Sequence, residues 1–241
     1  MAMSSSEPGH HRPRSRFAAG LPAVTAERVV DAALGLTEEL GLENWTLRQL
    51  AAAVDAYPAV IYHHVGDRDA VVAAVIERVI TGYPLPPDDL PWRDWFVELL
   101  RELRGVLKQY PGVARRLSLY GPSVKSAAKT IDRGVRLLQQ AGFGDESPLV
   151  YHLLLNTACQ FLAAEDDRVR DPAEGLRVAH AWMAYRDCAE MPGMALMAES
   201  VRARVENPEL IAAYYPSLYE YAIQRCLDGV AVRLEELKRN T

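Results

Sequence analysis

No run of about 18 apolar residues occurs in the chain, so no membrane-spanning helix is expected. Cysteine is scarce. Cys159, Cys188 and Cys226 are widely spaced and odd in number, which gives neither a disulfide framework nor metal-ligand spacing. They fit a reducing, cytoplasmic setting and read best as small buried apolar residues. An excess of basic charge is also missing. The net charge is −5, which excludes a general polyanion binder. Even in residues 1–80 carboxylates outnumber Lys and Arg, so any nucleic-acid contact must rest on local placement of charge. The opening MAMSSSEPGHHRPRSRF is positive but has no apolar stretch after it, so it is not a secretory leader. Its Ser, Pro and Arg content reads as a flexible tail over residues 1–22.

Catalytic patterns are absent as well. There is no Gly-rich phosphate loop and no Gly-x-Ser-x-Gly elbow. A di-iron bundle needs Glu-x-x-His pairs on inward faces, and no Glu of the expected helices has His three residues later. The histidines are His10, His11, His63, His64, His152 and His180, none clustered with Cys or carboxylates at ligand spacing. No catalytic residue, metal site or cofactor is therefore expected.

What the chain does have is helical periodicity almost throughout, without strand alternation. Hydrophobic residues make up 49% of it and charged residues 24%, ordinary for a globular core. Thr25 can cap a helix that stops at Gly41. Thr46 and Gln49 form a capping box for a helix to about Val54. Asp55 and Ala56 make a tight break, and Pro58 suits a first helical position, where its missing N–H costs nothing. That short helix runs to about His64, and Asp67 caps another to Ile80. The Pro-rich segment Thr81 to Pro91 marks a boundary. Beyond it, Trp92 to Tyr110 is the strongest amphipathic stretch, followed by helices near 112–119, 123–141 and 147–165 and less certain ones over 166–207. Ser217 and Glu220 form a second capping box, predicting a final helix over 217–237.

Three short helices within 25–64, with a brief break between the second and third, make a helix-turn-helix pattern. The second helix must brace the third through Leu47, Leu50, Ala51, Val54, Val60 and Ile61. The third can then enter a major groove about 12 Å wide. The segment TLRQLAAAVDAYPAVIYHHVGDRDAVVAAVI, Thr46 to Ile76, resembles the DNA-binding region of the TetR family of transcriptional regulators. The resemblance covers about residues 25–80 and implies that Thr46, Tyr62, His64 and Arg68 hold phosphates. It implies that Ala56, Tyr57, Ala59 and His63 lie against bases or sugars, with Arg48 at the groove edge. Two departures stand out: Asp55 replaces the usual turn Gly, and Tyr57 replaces the usual Ser or Thr before the proline. Tyr57 cannot cap through a short hydroxyl, a loss on the order of 1 kcal/mol. It also puts an aromatic ring at the groove, so the operator is expected to depart from familiar ones. Tyr62 could instead be a core aromatic with its hydroxyl at the surface, His64 could serve packing, and Arg12, Arg14 and Arg16 could be a minor-groove arm or a solvated tail.

The expected organisation is all-α: a tail over 1–22, a helix-turn-helix domain over 23–80, and a helical ligand-binding and dimerisation bundle over 81–241. CLDGVAVRLEEL near the end resembles the LLDGL ending of the tetracycline-repressor branch. That resemblance implies a homodimer held by the helices near 147–165 and 217–237, matched to a palindromic double-stranded operator. His152, Asn156 and Gln160 recur at four-residue steps, so they form one polar stripe that could face a ligand, a dimer seam or water. Trp95, Tyr110, Tyr120, Tyr151 and Trp182 could wall an aromatic pocket for a small-molecule effector. No histidine lies in 111–121, which argues against magnesium-tetracycline as that effector. The resemblance implies a repressor released by its ligand. The competing reading is a helical ligand-binding or interaction protein with no DNA role, which the acidic net charge favours.

Overall fold

The computed structural model describes residues 23–240, so the Arg12, Arg14 and Arg16 cluster lies outside the described residues. Among the described residues eleven α-helices follow one another: α1 Ala26–Leu40, α2 Leu47–Ala53, α3 Pro58–His64, α4 Arg68–Thr81, α5 Trp92–Leu107, α6 Val113–Tyr120, α7 Ala128–Ala141, α8 Ser147–Arg170, α9 Pro172–Met183, α10 Pro192–Glu206 and α11 Pro208–Arg239. Short 3-10 turns at Lys125–Ala127 and Gly144–Glu146 lead into α7 and α8. No helix among the described residues is long and apolar enough to cross a membrane.

The first four helices start and stop for local reasons. Thr25 Oγ1 accepts the Arg28 N–H at 3.2 Å, and Asp67 Oδ1 accepts the Ala70 N–H at 2.9 Å, each occupying a donor that a helix start leaves unpaired. α1 packs against α2, α3 and α4, and Val29, Val30 and Ala33 are its buried side. In the second half α8 is the central element, with α5, α6, α7 and α11 packed around it. A single apolar core runs from Val24 through Val75 and Leu100 to Leu234, so the two halves of the chain share it. Two of its polar side chains are paired with each other. Trp45 Nε1 donates to Thr37 Oγ1 at 2.9 Å, and Thr37 in turn donates to the Ala33 carbonyl at 2.8 Å. Burial pushes the Cys159 thiol up to about 12, as suits a thiol packed as an apolar group.

Two limits differ from the sequence expectation. The final helix begins at Pro208 rather than Ser217, capped by Asn207 Oδ1, which accepts from Glu209 N at 2.9 Å. Ser217 and Glu220 therefore lie inside a 32-residue helix that also contains Pro216. A mid-helix proline costs about 3 kcal/mol. The packing of α10 on α11 helps to carry the helix through it. α8 continues past 165 to Arg170, because Glu165 and Asp166 are buried and paired with Arg104 of α5 and with Lys108 just beyond its end. Residues 172–206 are the thinly packed part: α9 buries no side chain fully, and α10 only Ala198.

Candidate nucleic-acid interface and effector cavity

The capping box of α2 is formed. Gln49 N donates to Thr46 Oγ1 at 3.2 Å, and Thr46 N donates to Gln49 Oε1 at 2.9 Å. After Ala53 the chain reverses through Asp55, which takes φ 52°, the left-handed region that Asp tolerates better than most side chains. Ala56 N donates to Ala51 O at 2.8 Å and closes this turn. Pro58 then opens α3, and Tyr57 at its N-cap makes no side-chain cap bond. Leu50, Ala51, Val54 and Ile61 are buried between α2, α3 and their neighbours, with Leu47 and Val60 half-buried beside them. Burial of a Leu or Ile contributes about 1.5–3 kcal/mol, enough to fix a seven-residue helix that could not persist alone.

This brace leaves one face of α3 outward. Tyr57 is 81% exposed and Tyr62 54%, while Ala59, His63 and His64 are also exposed. Thr46 and Arg48 are exposed at the start of α2, and Ala56 is half-buried in the turn. These eight candidates thus gather on α2, the turn and α3. The His63 and His64 rings meet edge to face with centroids 5.2 Å apart. Arg68 has a different setting. Its guanidinium lies 5.0 Å from the Trp45 ring centroid, donates to the Leu42 carbonyl at 3.0 Å and pairs with Glu43 at 3.2 Å.

In the second half a small cavity of about 30 Å³ is walled by Ile80, Tyr83, Leu99, Leu103, Leu117, Thr130, Tyr151 and Leu155. Its lining is almost wholly apolar. Tyr83 donates its hydroxyl to the Leu99 carbonyl, and Tyr219 nearby donates to Leu100 O at 2.6 Å. Burial holds both hydroxyls, and that of Tyr151, well above the ordinary tyrosine value, so all three are neutral. Of the aromatic candidates, Tyr151 is on the cavity wall, packed edge to face on Phe96 at 6.0 Å. Trp95 is fully buried behind it, and its indole N–H has no acceptor. Tyr110 is half-buried against the core. Tyr120 is 65% exposed beneath the Arg116 guanidinium, and Trp182 is 37% exposed on α9. His152 and Gln160 are exposed and Asn156 half-buried on the outer side of α8, away from this cavity. His152 Nε2 and Asn156 Nδ2 are 3.4 Å apart.

Sequence reasoning missed a charged cluster where the halves meet. Arg104 makes two bonds to Glu165, at 2.7 and 3.2 Å, and Lys108 reaches both Glu165 and Asp166 at 3.2 Å. Burial opposes ionisation of Glu165, but Arg104 and Lys108 outweigh it and its carboxyl lies below the ordinary value. Burial pushes the Asp166 carboxyl up, only partly offset by the Gly112 N–H and Lys108. The available signal was opposite charge at helical spacing: Arg104 near the end of α5 with Lys108 four residues on, and the adjacent acids Glu165 and Asp166 following Leu162 on α8.

Known proteins share this architecture. An HTH-type transcriptional regulator of Saccharopolyspora erythraea is 31% identical over 127 residues, 51% of this chain and 52% of that protein, so the chain spans about half that relative's length. The HTH-type transcriptional repressor DrrR1 of Streptomyces coeruleorubidus is 25% identical over 225 residues, covering 88% of this chain and 78% of the relative. These relatives are named as regulators rather than enzymes. Apo ActR from Streptomyces coelicolor has the same fold, with a TM-score of 0.70 at 21% identity over 88% of this chain and 97% of its own. ActR in complex with actinorhodin matches with a TM-score of 0.66 at 22% identity, over 86% of this chain and 96% of its own. Residues 83–233 match the family model described as Tetracyclin repressor-like, C-terminal domain. That match takes in more than half of the protein, and the chain belongs to the TetR family of transcriptional regulators.

Proposed function

We propose that the protein is a transcriptional repressor that binds a palindromic DNA operator as a homodimer and is released by a small-molecule effector in the cytoplasm. The observation that carries this is the outward face of α3: a rigidly braced short helix presenting Tyr57, Ala59, Tyr62, His63 and His64 to the outside. Among the described residues no packing role accounts for an aromatic side chain 81% exposed at the helix start. Laid in a major groove, α3 brings Tyr62 and His64 to phosphates and Ala56, Tyr57, Ala59 and His63 to bases or sugars. Thr46 adds a phosphate contact and Arg48 reaches the groove edge. Arg68, at the foot of α4, braces the α1–α2 turn, and in this reading it adds a phosphate contact from there. The name of DrrR1 as a repressor supports the direction of regulation.

The homodimer follows from an apolar outer face. Leu149 and Leu153 on α8 are 68% and 47% exposed, and Tyr221 and Val232 on α11 are 65% and 60% exposed. The two helices pack side by side, so their joint outer face makes a self-complementary four-helix seam about a two-fold axis. His152, Asn156 and Gln160 lie on the same side of α8 and supply polar contacts at this seam.

Effector release follows from the cavity. About 30 Å³ holds roughly one or two waters, so an organic effector enters only by moving its walls. Ile80 of α4 is one wall, which ties occupancy to the helix that follows α3. DNA affinity then falls by the effector's preference for the moved state. The complex of ActR with actinorhodin supports a small-molecule effector at this cavity. The test is a mobility-shift assay on DNA flanking the protein's own gene with wild type and Tyr62→Ala. A specific shift that falls steeply with salt and weakens in the variant supports the repressor; a folded dimer that shifts none of these palindromes speaks for the interaction-protein reading.

A further inference from the structure

One chain of hydrogen bonds runs from α8 to the foot of α4. Asp166, its side chain 3% exposed, accepts from Gly112 N at 3.1 Å through Oδ2 and from Lys108 Nζ at 3.2 Å through Oδ1. The carbonyl of the preceding residue, Pro111, accepts from Leu42 N at 2.8 Å. Leu42 O then accepts from Arg68 Nη2 at 3.0 Å. Arg68 is the first residue of α4, joined to the end of α3 through Val65, Gly66 and Asp67.

The middle of this chain has no slack. Gly112 takes φ +89°, and a Cβ there would stand 3.3 Å from Leu42 Cβ and 3.4 Å from Leu42 N. A Cβ at Gly41 would likewise stand 3.3 Å from the Pro111 carbonyl oxygen. The α5–α6 turn and the α1–α2 turn therefore meet backbone to backbone, with no layer of side chains to absorb a displacement. Asp166 is itself held in place, because its neighbour Glu165 is gripped by Arg104 and Lys108.

We infer that Asp166 is a positioning residue that transmits movement of α8 through Gly112, Pro111 and Leu42 to Arg68, and so sets the spacing of the two recognition helices. α8 is suited to be the input: Tyr151 and Leu155 wall the cavity, and Leu149 and Leu153 belong to the outer face assigned to the dimer. The consequence for spacing rests on the repressor reading above, whereas the strut itself does not.

The two are separated by pairing amide exchange with DNA binding. A cleft of about 470 Å³, lined by Leu42, Glu43, Gly112 and Asp166, gives water access to the strut's amides once their bonds open. Hydrogen exchange by mass spectrometry is therefore measured on the full chain as wild type, Asp166→Ala and Asp166→Asn. Asp166→Ala is expected to raise exchange in peptides over 41–46 and 65–71 about tenfold, the factor for losing one charged hydrogen bond. Peptides from α7 and α11 are expected to be unchanged. Asn keeps a carbonyl oxygen for Gly112 N–H, so Asp166→Asn is expected to restore protection. No rise over 41–46 and 65–71, or an equal rise everywhere, overturns the strut. On an operator bound by wild type, the wild-type preference over the same site with one base pair inserted between half-sites is expected to fall about tenfold in Asp166→Ala, a typical coupling factor. Unchanged discrimination despite altered exchange overturns the role in spacing. Altered exchange with no DNA binding by any form upholds the strut and overturns the repressor reading.

Discussion

Replacing Gly134 by alanine is expected to destabilise the protein, although the same change in an exposed helix interior stabilises it. Gly134 lies within α7, where Ala is better than Gly by about 1 kcal/mol on helix propensity alone. Here the new Cβ would stand 2.7 and 2.9 Å from Cε2 and Cδ2 of Tyr151 and 3.2 Å from Cζ3 of Trp95. Carbon contacts sit best at about 3.5–4.0 Å, so the tyrosine ring must retreat by roughly 1 Å. Phe96 packs on that ring edge to face, and the other open direction is the small cavity. Overpacking of this kind costs about 1–3 kcal/mol, so the net loss is about 1 kcal/mol, or a melting temperature lower by about 3 °C for a chain of this size. The decisive assay is thermal unfolding by circular dichroism at fixed protein concentration, in two backgrounds. With Tyr151→Ala already in place the obstructing ring is gone, and Gly134→Ala should raise the melting temperature by about 3 °C. The sign should therefore reverse between backgrounds. A rise in both, or an equal fall in both, would refute the packing argument.

Thr46→Ala should cost about 1 kcal/mol by breaking the α2 capping box, and Thr46→Ser should restore most of it; thermal melts of both variants check this. The acid limb of stability should depend on Glu165. Its carboxyl is held below the ordinary value in the folded state, so its contribution is full above the unfolded value of 4.5 and is lost as pH falls through the folded one. Urea unfolding from pH 7 to pH 3 should show a flatter acid limb in Glu165→Gln, while Asp166, shifted the other way, favours the fold as it protonates. Leu153→Glu combined with Tyr221→Glu should convert the proposed dimer to a folded monomer by placing charge in its seam, and sedimentation velocity that still reports a dimer would move the interface elsewhere.

The boundaries of the first four helices were legible because they are local. Thr25, Thr46, Asp67, Pro58 and Gly41 act within four residues along the chain, and the left-handed turn at Asp55 needs only its own backbone. The bracing of α3 by Leu50 and Ile61 was legible too, since periodicity alone aligns them. The final helix was misread for the converse reason. Ser217 and Glu220 have the spacing of a capping box, but capping requires a helix start, and the start was set nine residues earlier by Asn207 and Pro208. Only tertiary structure decided whether Pro216 interrupted the helix.

The sequence by itself determined the helical class, the helix-turn-helix and the residues on its outward face, because each depends on neighbours three or four positions away. The tertiary structure alone decided which aromatic reaches the cavity, that Arg68 is drawn onto Trp45 and Leu42, and that Asp166 caps Gly112. Those contacts join residues far apart in the chain. Their energies come from burial and geometry that no local spacing encodes, so folding had to bring the partners together before their roles could be read.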